Sequence, residues 1–337
     1  MRNDKLPEYL PACLLAGALA LCATPAIAEE QEVTAERTVE AIEAVFGVTP
    51  GQRRNHTKGT CALGEFTGTS EAAVYSRSPL FSGKKLPVVA RFSLAGGNPD
   101  APDTAKTPRG MALEFALPDS GLQHITMLNT PMFGAAQPET FLAQMIAMKP
   151  DPATGKHDPK KIKAFRDSHP DNRAQAEFLA SHNPPASYAS SAYFGIHTFR
   201  FVDRDGNTTP VRWRFVPRDG EKRLTDAELK TMPPDFLERR LIERAAKGKL
   251  RWDMIVTIGK PGDPEDNPTL IWPEGRKQVK AGTLTISSAM LQQGAACEYV
   301  NFNPLIMGDG IEPSNDPILL FRSPAYAVSF GRRIGGM

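Results

Sequence analysis

The sequence predicts a single α+β domain built on an antiparallel sheet, with helices inserted between the strands. Three observations predict it. Roughly six short segments alternate in polarity or are rich in β-branched and aromatic residues. Helical patterns gather in the middle of the chain instead of alternating regularly with the strands. No repeat and no low-complexity stretch divides the chain. The strand count is compatible with a closed barrel, but periodicity alone does not establish closure.

At the start, Arg2 and Lys5 precede an apolar run from Leu10 to Ala23, followed by Pro25-Ala26-Ile27-Ala28. Small residues at Ala26 and Ala28 match a cleavage signature, so residues 1–28 read as a signal peptide and 29–337 as the mature domain. The apolar run is too short for a membrane anchor. The mature chain is therefore expected to be exported, to a bacterial periplasm, with no anchor left after cleavage. Cleavage would also remove Cys13 and Cys22. Cys61 and Cys297 remain, and the sequence leaves open whether they are bridged.

From Glu32 to Phe46 the apolar residues fall at mixed helical spacings, and Pro50-Gly51 ends the segment. Leu86–Leu94 and Met111–Leu117 read as strands. Helical segments follow at Pro138–Met148, Pro159–Arg166, Arg173–Ala180 and Thr225–Ala246. Tyr193–Val202 and Val211–Val216 read as two arms of a hairpin around Asp203-Arg204-Asp205-Gly206-Asn207. Arg251–Ile258 and Gly282–Ser288 complete the strands.

The net charge of +2 gives no broad electrostatic argument for nucleic acid as a partner. The chain has no phosphate-binding glycine loop, no helical zinc motif and no nucleophile elbow. Two segments stand out. Arg53-Arg54-Asn55-His56-Thr57-Lys58-Gly59 sets a histidine in a basic cluster. Arg322-Ser323-Pro324-Ala325-Tyr326 puts an arginine four residues before a tyrosine, and on a helix those side chains share a face. A guanidinium beside a phenol favours the phenolate. Taken singly, either segment reads as surface or core before it reads as catalytic.

Together and in order, several segments resemble the haem catalases, in particular the short catalase-related peroxidases. Arg53-x-x-His56-x-Lys58-Gly59 with Gly64-x-Phe66 is similar to the family's distal histidine segment. Val88-Val89-Ala90-Arg91-Phe92-Ser93, Asp103-Thr104 and Pro108-Arg109-Gly110 follow. Asn129-Thr130-Pro131-Met132-Phe133 resembles the stretch that packs on the porphyrin. Gly310-Ile311-Glu312-Pro313-Ser314-x-Asp316 and Arg322-x-x-x-Tyr326 resemble the proximal segment.

The resemblance implies an antiparallel β-barrel core with inserted and flanking helices and haem b buried beside it. It implies Tyr326 as iron ligand, with Arg322, His197 and Asp316 as the relay behind it. His56 would be the distal acid/base, its ring oriented by Ser93, with Asn55 adding polarity beside it. Arg53, Arg91 and Arg322 would hold the propionates, and Phe133 and Phe141 would lie against the haem face. Leu128 stands where the family has a distal asparagine. The activity implied is peroxidase first, on hydrogen peroxide or a small organic peroxide, with electrons from an external donor and weak catalase turnover. A peroxide isomerase on the same scaffold and a non-enzymatic haem carrier are the rival readings.

Overall fold

A computed structural model of the chain describes residues 32–336, so the expected signal segment lies outside the described residues. No described helix is long and apolar enough to cross a membrane. The chain opens with α1 (Ala35–Phe46), then β1 (Gly59–Gly68) and the short α2 (Ser70–Ala73). An antiparallel run follows: β2 (Lys85–Leu94), β3 (Arg109–Ala116) and β4 (Leu122–Leu128). The helical middle holds α3 (Pro138–Met148), α4 (Pro159–Ser168) and α5 (Arg173–Ser181). Next come β5 (Tyr193–Phe194), β6 (Phe199–Val202) and β7 (Thr208–Pro217), then α6 (Asp226–Thr231) and α7 (Phe236–Lys247). The chain finishes through β8 (Leu250–Ile258), β9 (Gln278–Leu291), α8 (Ala296–Tyr299), β10 (Ile311–Pro313) and α9 (Pro317–Ile334).

The strands close on themselves. Neighbours run β1-β2-β3-β4-β5-β7-β8-β9 and β9 pairs back onto β1, all antiparallel, which makes an eight-stranded barrel. Closure removes the exposed edges an open sheet would present. Alternation along each strand decides what faces in. Ala90, Phe92 and Leu94 on β2, and Met111, Leu113 and Phe115 on β3, are buried in the barrel core. Phe92 packs there against Tyr188, Tyr193 and Trp252, with ring centroids 5.6, 5.9 and 5.7 Å away. Each such side chain contributes roughly 2–3 kcal/mol on burial. The barrel is thus a filled core, and a ligand must sit outside it.

The expected strands all form, with β9 extended at both ends. The expected arm Tyr193–Val202 is interrupted: β5 pairs with β7 through Tyr193↔Phe215, and pairing resumes at Phe199↔Val211 two residues out of register. Residues 195–198 therefore bulge from the barrel wall, carrying His197. The expected helix Thr225–Ala246 is two helices, because Pro233-Pro234 cannot continue the hydrogen-bonded ladder. Helix α1 starts at Ala35, where Thr34 Oγ1 accepts from the Arg37 amide at 3.2 Å. Helix α9, the longest described, keeps helical geometry through Pro324.

Candidate active site

The odd-numbered face of β2 and the matching positions of its neighbours point away from the barrel core. Arg91 and Ser93 on β2, Gly110 and Ala112 on β3, and Thr126 and Leu128 on β4 line one wall of a cavity. Val39 and Ile42 of α1, Phe141 of α3, and Tyr326, Phe330 and Arg333 of α9 line the rest. The space free of atoms is about 1440 Å³, its open mouth included. Phe133 and Phe141 stack with centroids 6.0 Å apart. This is a mostly apolar pocket with a few convergent polar groups, the usual form of a cofactor site.

Tyr326 is held by a chain of three side chains, Arg322, His197 and Asp316. Arg322 Nη2 donates to Tyr326 Oη at 2.6 Å, and Arg322 Nη1 donates to His197 Nε2 at 3.0 Å. His197 Nδ1 donates to Asp316 Oδ2 at 2.6 Å. Asp316 Oδ1 accepts the Ile318 and Leu319 amides at the start of α9. The tautomer of His197 follows from its partners: a guanidinium can only donate and a carboxylate can only accept. Burial disfavours the charged imidazole and pulls its pKa down, against the opposing pull of Asp316. Thr126 Oγ1 also accepts from Arg322 Nη2, at 2.7 Å. All these contacts of Arg322 lie on the Tyr326 side.

His56 enters from the loop between α1 and β1. Its φ of +55° is left-handed, a conformation that costs a non-glycine residue roughly 1–3 kcal/mol. Asn55 supports it: the side-chain oxygen of Asn55 accepts the His56 and Gly96 amides, both at 2.8 Å. Asn55 therefore shapes the turn that presents His56, and it also lines the cavity beside it. His56 Nδ1 lies 2.9 Å from Ser93 Oγ, and no protein group among the described residues hydrogen-bonds Nε2. Gly110 makes room for this pair, since a Cβ there would stand 2.8 Å from Ser93 Oγ and 3.1 Å from the His56 ring. Burial, with Arg91, Arg322 and Arg53 nearby, pulls His56 down to about 3, so the ring is neutral.

Arg53 and Arg91 lie together, and the third arginine with them is Arg333 rather than Arg322. Burial, then Arg91 and Arg333, pull the Arg53 guanidinium down to about 8. Burial likewise pulls Arg91 down to about 10. Arg333 is buried, and its Nη1 has no hydrogen-bond partner among the described residues. Sequence reasoning missed Arg333, although it lies seven residues after Tyr326, two helical turns along the same face. Arg91 reaches the cluster past Gly59, where a Cβ would stand 2.2 Å from its Nη2. Arg53 Nη2 donates to the Cys297, Glu298 and Val300 carbonyls at 2.9, 3.3 and 2.8 Å. Cys297 is bridged to Cys61, with Cα atoms 5.5 Å apart, which resolves the pairing that the sequence left open.

The arrangement tests whether a haem fits. Two buried cations, Arg91 and Arg333, and the half-buried Arg53 crowd one end of an apolar pocket, and Arg333 Nη1 is buried without a hydrogen-bond partner among the described residues. Such a cluster is costly unless anions join it. A flat apolar group bearing two carboxylates supplies both the anions and the ring contact. The residues fit.

Leu128 pairs with Gly110 across β3–β4 and lines the cavity beside His56. The neighbouring Asn129 is not among the residues that line the cavity. Its side-chain oxygen accepts the Arg109 amide at 2.7 Å, and it is buried. His157 and His182 are exposed, away from the cavity.

Comparison with known proteins agrees with this geometry. The Catalase family model matches residues 48–337. A catalase-related peroxidase of Synechococcus elongatus is 59% identical over 305 residues, covering 90% of this chain and 90% of that protein. A catalase-related peroxidase of Mycolicibacterium paratuberculosis is 34% identical, covering 90% of this chain and 96% of its own length. Among solved structures, catalase A from Saccharomyces cerevisiae superposes with a TM-score of 0.78 at 26% identity, over 85% of this chain and 62% of that one. The chain spans about 60% of the full-length catalases it matches. Fold, site geometry and sequence agree: the chain belongs to the catalase family, in its branch of catalase-related peroxidases.

Proposed function

We propose that this chain is a haem-dependent peroxidase that reduces hydrogen peroxide with electrons from an external donor and has only weak catalase turnover. The observation that carries the reading is that Tyr326 and His56 line one cavity, each fixed by its own set of partners, with three arginines clustered at the same cavity. Tyr326 Oη would ligate the iron, and Arg53, Arg91 and Arg333 would hold the carboxylates of iron protoporphyrin IX. When bound, haem supplies the acceptance and return of the two electrons that take one peroxide to two waters.

The protein's part is to place groups and to move a proton. With its single proton on Nδ1, donated to Ser93 Oγ, His56 presents a lone pair at Nε2. Nε2 takes a proton from one peroxide oxygen and returns it to the other as that oxygen leaves as water. A neutral ring is what this role needs, and burial among arginines keeps His56 neutral. Arg322 holds Tyr326 Oη by a donated hydrogen bond. His197, a neutral acceptor, holds the guanidinium without adding a competing charge. Phe133 and Phe141 keep the pocket dry. Leu128 presents no hydrogen-bond donor, so a second peroxide is poorly placed and an outside reductant competes well. We further infer export to the periplasm. The N-terminal pattern supports that inference, and so does the buried Cys61–Cys297 disulfide, a bond characteristic of oxidising compartments.

The test is peroxide consumption by haem-loaded wild type and His56→Ala. Loss of turnover in the variant with haem still bound supports the reading; equal consumption would leave a haem carrier. The isomerase reading rests on Asn55, which lines the cavity beside His56; rearranged product from an organic hydroperoxide, formed without donor consumption, would favour it over the peroxidase.

A further inference from the structure

The disulfide and two of the clustered arginines, Arg53 and Arg91, meet in one segment. Residues 292–300 leave the end of β9, pass through α8, and lead to Phe302 in the cavity wall. The hydrogen bonds that tie this segment to the rest of the described chain end on Arg53, Arg91 and Thr57. Arg53 Nη2 donates to three of its carbonyls, those of Cys297, Glu298 and Val300. Gln292 Oε1 accepts from Arg91 Nη2 at 2.7 Å and Nε at 3.2 Å, while Gln292 Nε2 donates to the Thr57 carbonyl at 3.1 Å. The segment's own bonds are local: the Ala295 amide to the Gln292 carbonyl, the Glu298 amide to the Ala295 carbonyl, and the Gly294 amide to the Glu298 carboxylate. A four-residue helix and two turns do not hold such a segment in place. Its covalent fastening is the bond from Cys297 to Cys61 on β1, buried in a small cluster with Phe302.

We propose that the Cys61–Cys297 disulfide is a staple that preorganises the arginine clamp. It fixes the carbonyls that aim Arg53 and the Gln292 amide that shares Arg91 with the His56 and Thr57 carbonyls, and so sets how tightly the chain retains a cofactor bearing two carboxylates. The inference rests on the haem reading above. Arg53 is half-buried beside two other cations, so it holds its place only while its carbonyl partners do. Without the bridge, the segment is free to lift from β1 and the guanidinium is free to swing towards solvent. Binding must then order the clamp again, which lowers affinity. Reduction by an added dithiol takes the bridge apart with two electrons and two protons, yielding two thiols and the oxidised dithiol.

The experiment compares the wild-type chain with the Cys61→Ala/Cys297→Ala double variant. Two readouts are taken: transfer of haem to excess apomyoglobin, and hydrogen exchange of the 292–300 amides in the haem-free protein. The expected result is haem release about tenfold faster, with faster exchange confined to 292–300 while β2 and β3 keep their protection. In an Arg53→Met background, removing the bridge should add much less to the release rate. Equal release and equal exchange with and without the bridge overturns the staple. So does an undiminished effect of the bridge in the Arg53→Met background, which would mark general destabilisation. Failure of wild type to hold haem overturns the proposed function and the staple with it, whatever the exchange result. If the double variant does not fold, folded wild type reduced with a dithiol replaces it.

Discussion

Arg322 Nη2 donates to Tyr326 Oη at 2.6 Å, one helical turn along α9, and this contact ties the phenol to a buried relay. Behind it, the same guanidinium rests on His197, and His197 on Asp316. Each member has one allowed role, because the donors and acceptors alternate along the chain.

That alternation makes Asp316→Asn informative. An asparagine Nδ2 facing His197 Nδ1 would favour the other tautomer, which turns an N–H towards the Arg322 N–H. The expected outcome is haem retention about ten- to a hundredfold weaker, the range typical for partners standing behind a metal ligand. Asp316 Oδ1, which caps α9, is replaced by an amide oxygen that can still accept, so the fold should persist by circular dichroism. Retention equal to wild type would mean the relay does not act on Tyr326.

His56→Ala removes the proton carrier but leaves the arginines and Tyr326 in place. Turnover of peroxide with a reducing dye should fall by roughly a hundredfold to ten-thousandfold, while the haem absorption spectrum of the resting protein remains that of a tyrosinate-ligated iron. A drop smaller than tenfold would assign the proton transfer elsewhere.

Leu128→Asn places a carboxamide beside His56 in the cavity. Oxygen evolution should rise relative to dye oxidation, because a second peroxide gains a hydrogen-bond partner. An oxygen electrode and a dye assay on the same sample read the ratio directly. An unchanged ratio would show that Leu128 does not limit catalase turnover.

Stability should depend on pH through His56. Its ordinary value is 6.5 and its folded value about 3, so the unfolded chain takes up the proton first as pH falls. The contribution of the neutral ring is intact above 6.5 and is lost progressively down to about 3, at about 1.4 kcal/mol per pH unit. His197, shifted the same way, acts with the same sign. Urea unfolding of the haem-free protein across this range should be steeper in pH for wild type than for His56→Gln. Identical slopes would mean that His56 is not buried neutral.

Much of this site was legible in the sequence because its residues sit in short motifs: His56 and Arg53 in one loop, Arg91 and Ser93 two apart on a strand, Arg322 and Tyr326 one turn apart. Alternation exposed β2, β3, β7 and β8. Strand β1 was not legible as a strand, since Gly59, Gly64 and Gly68 dilute its β-branched content. Pro324 hid α9 in the same way. The role of Arg333 and the carbonyl partners of Arg53 depend on contacts across more than two hundred residues, 244 for Arg53 and Cys297. Local pattern cannot carry that information. Asn55 shows another limit: its position beside His56 suggests a polar pocket group, but the two backbone amides its side-chain oxygen accepts are visible only in the fold.

The central claim is donor-dependent reduction of peroxide at a haem held by Tyr326. The most direct test is to load the chain with haem and follow oxygen release and dye oxidation together after adding hydrogen peroxide. The account predicts rapid dye oxidation with slow oxygen release, both absent in haem-loaded Tyr326→Phe. Fast oxygen release that the dye barely diverts would make the chain a catalase in function and contradict the account.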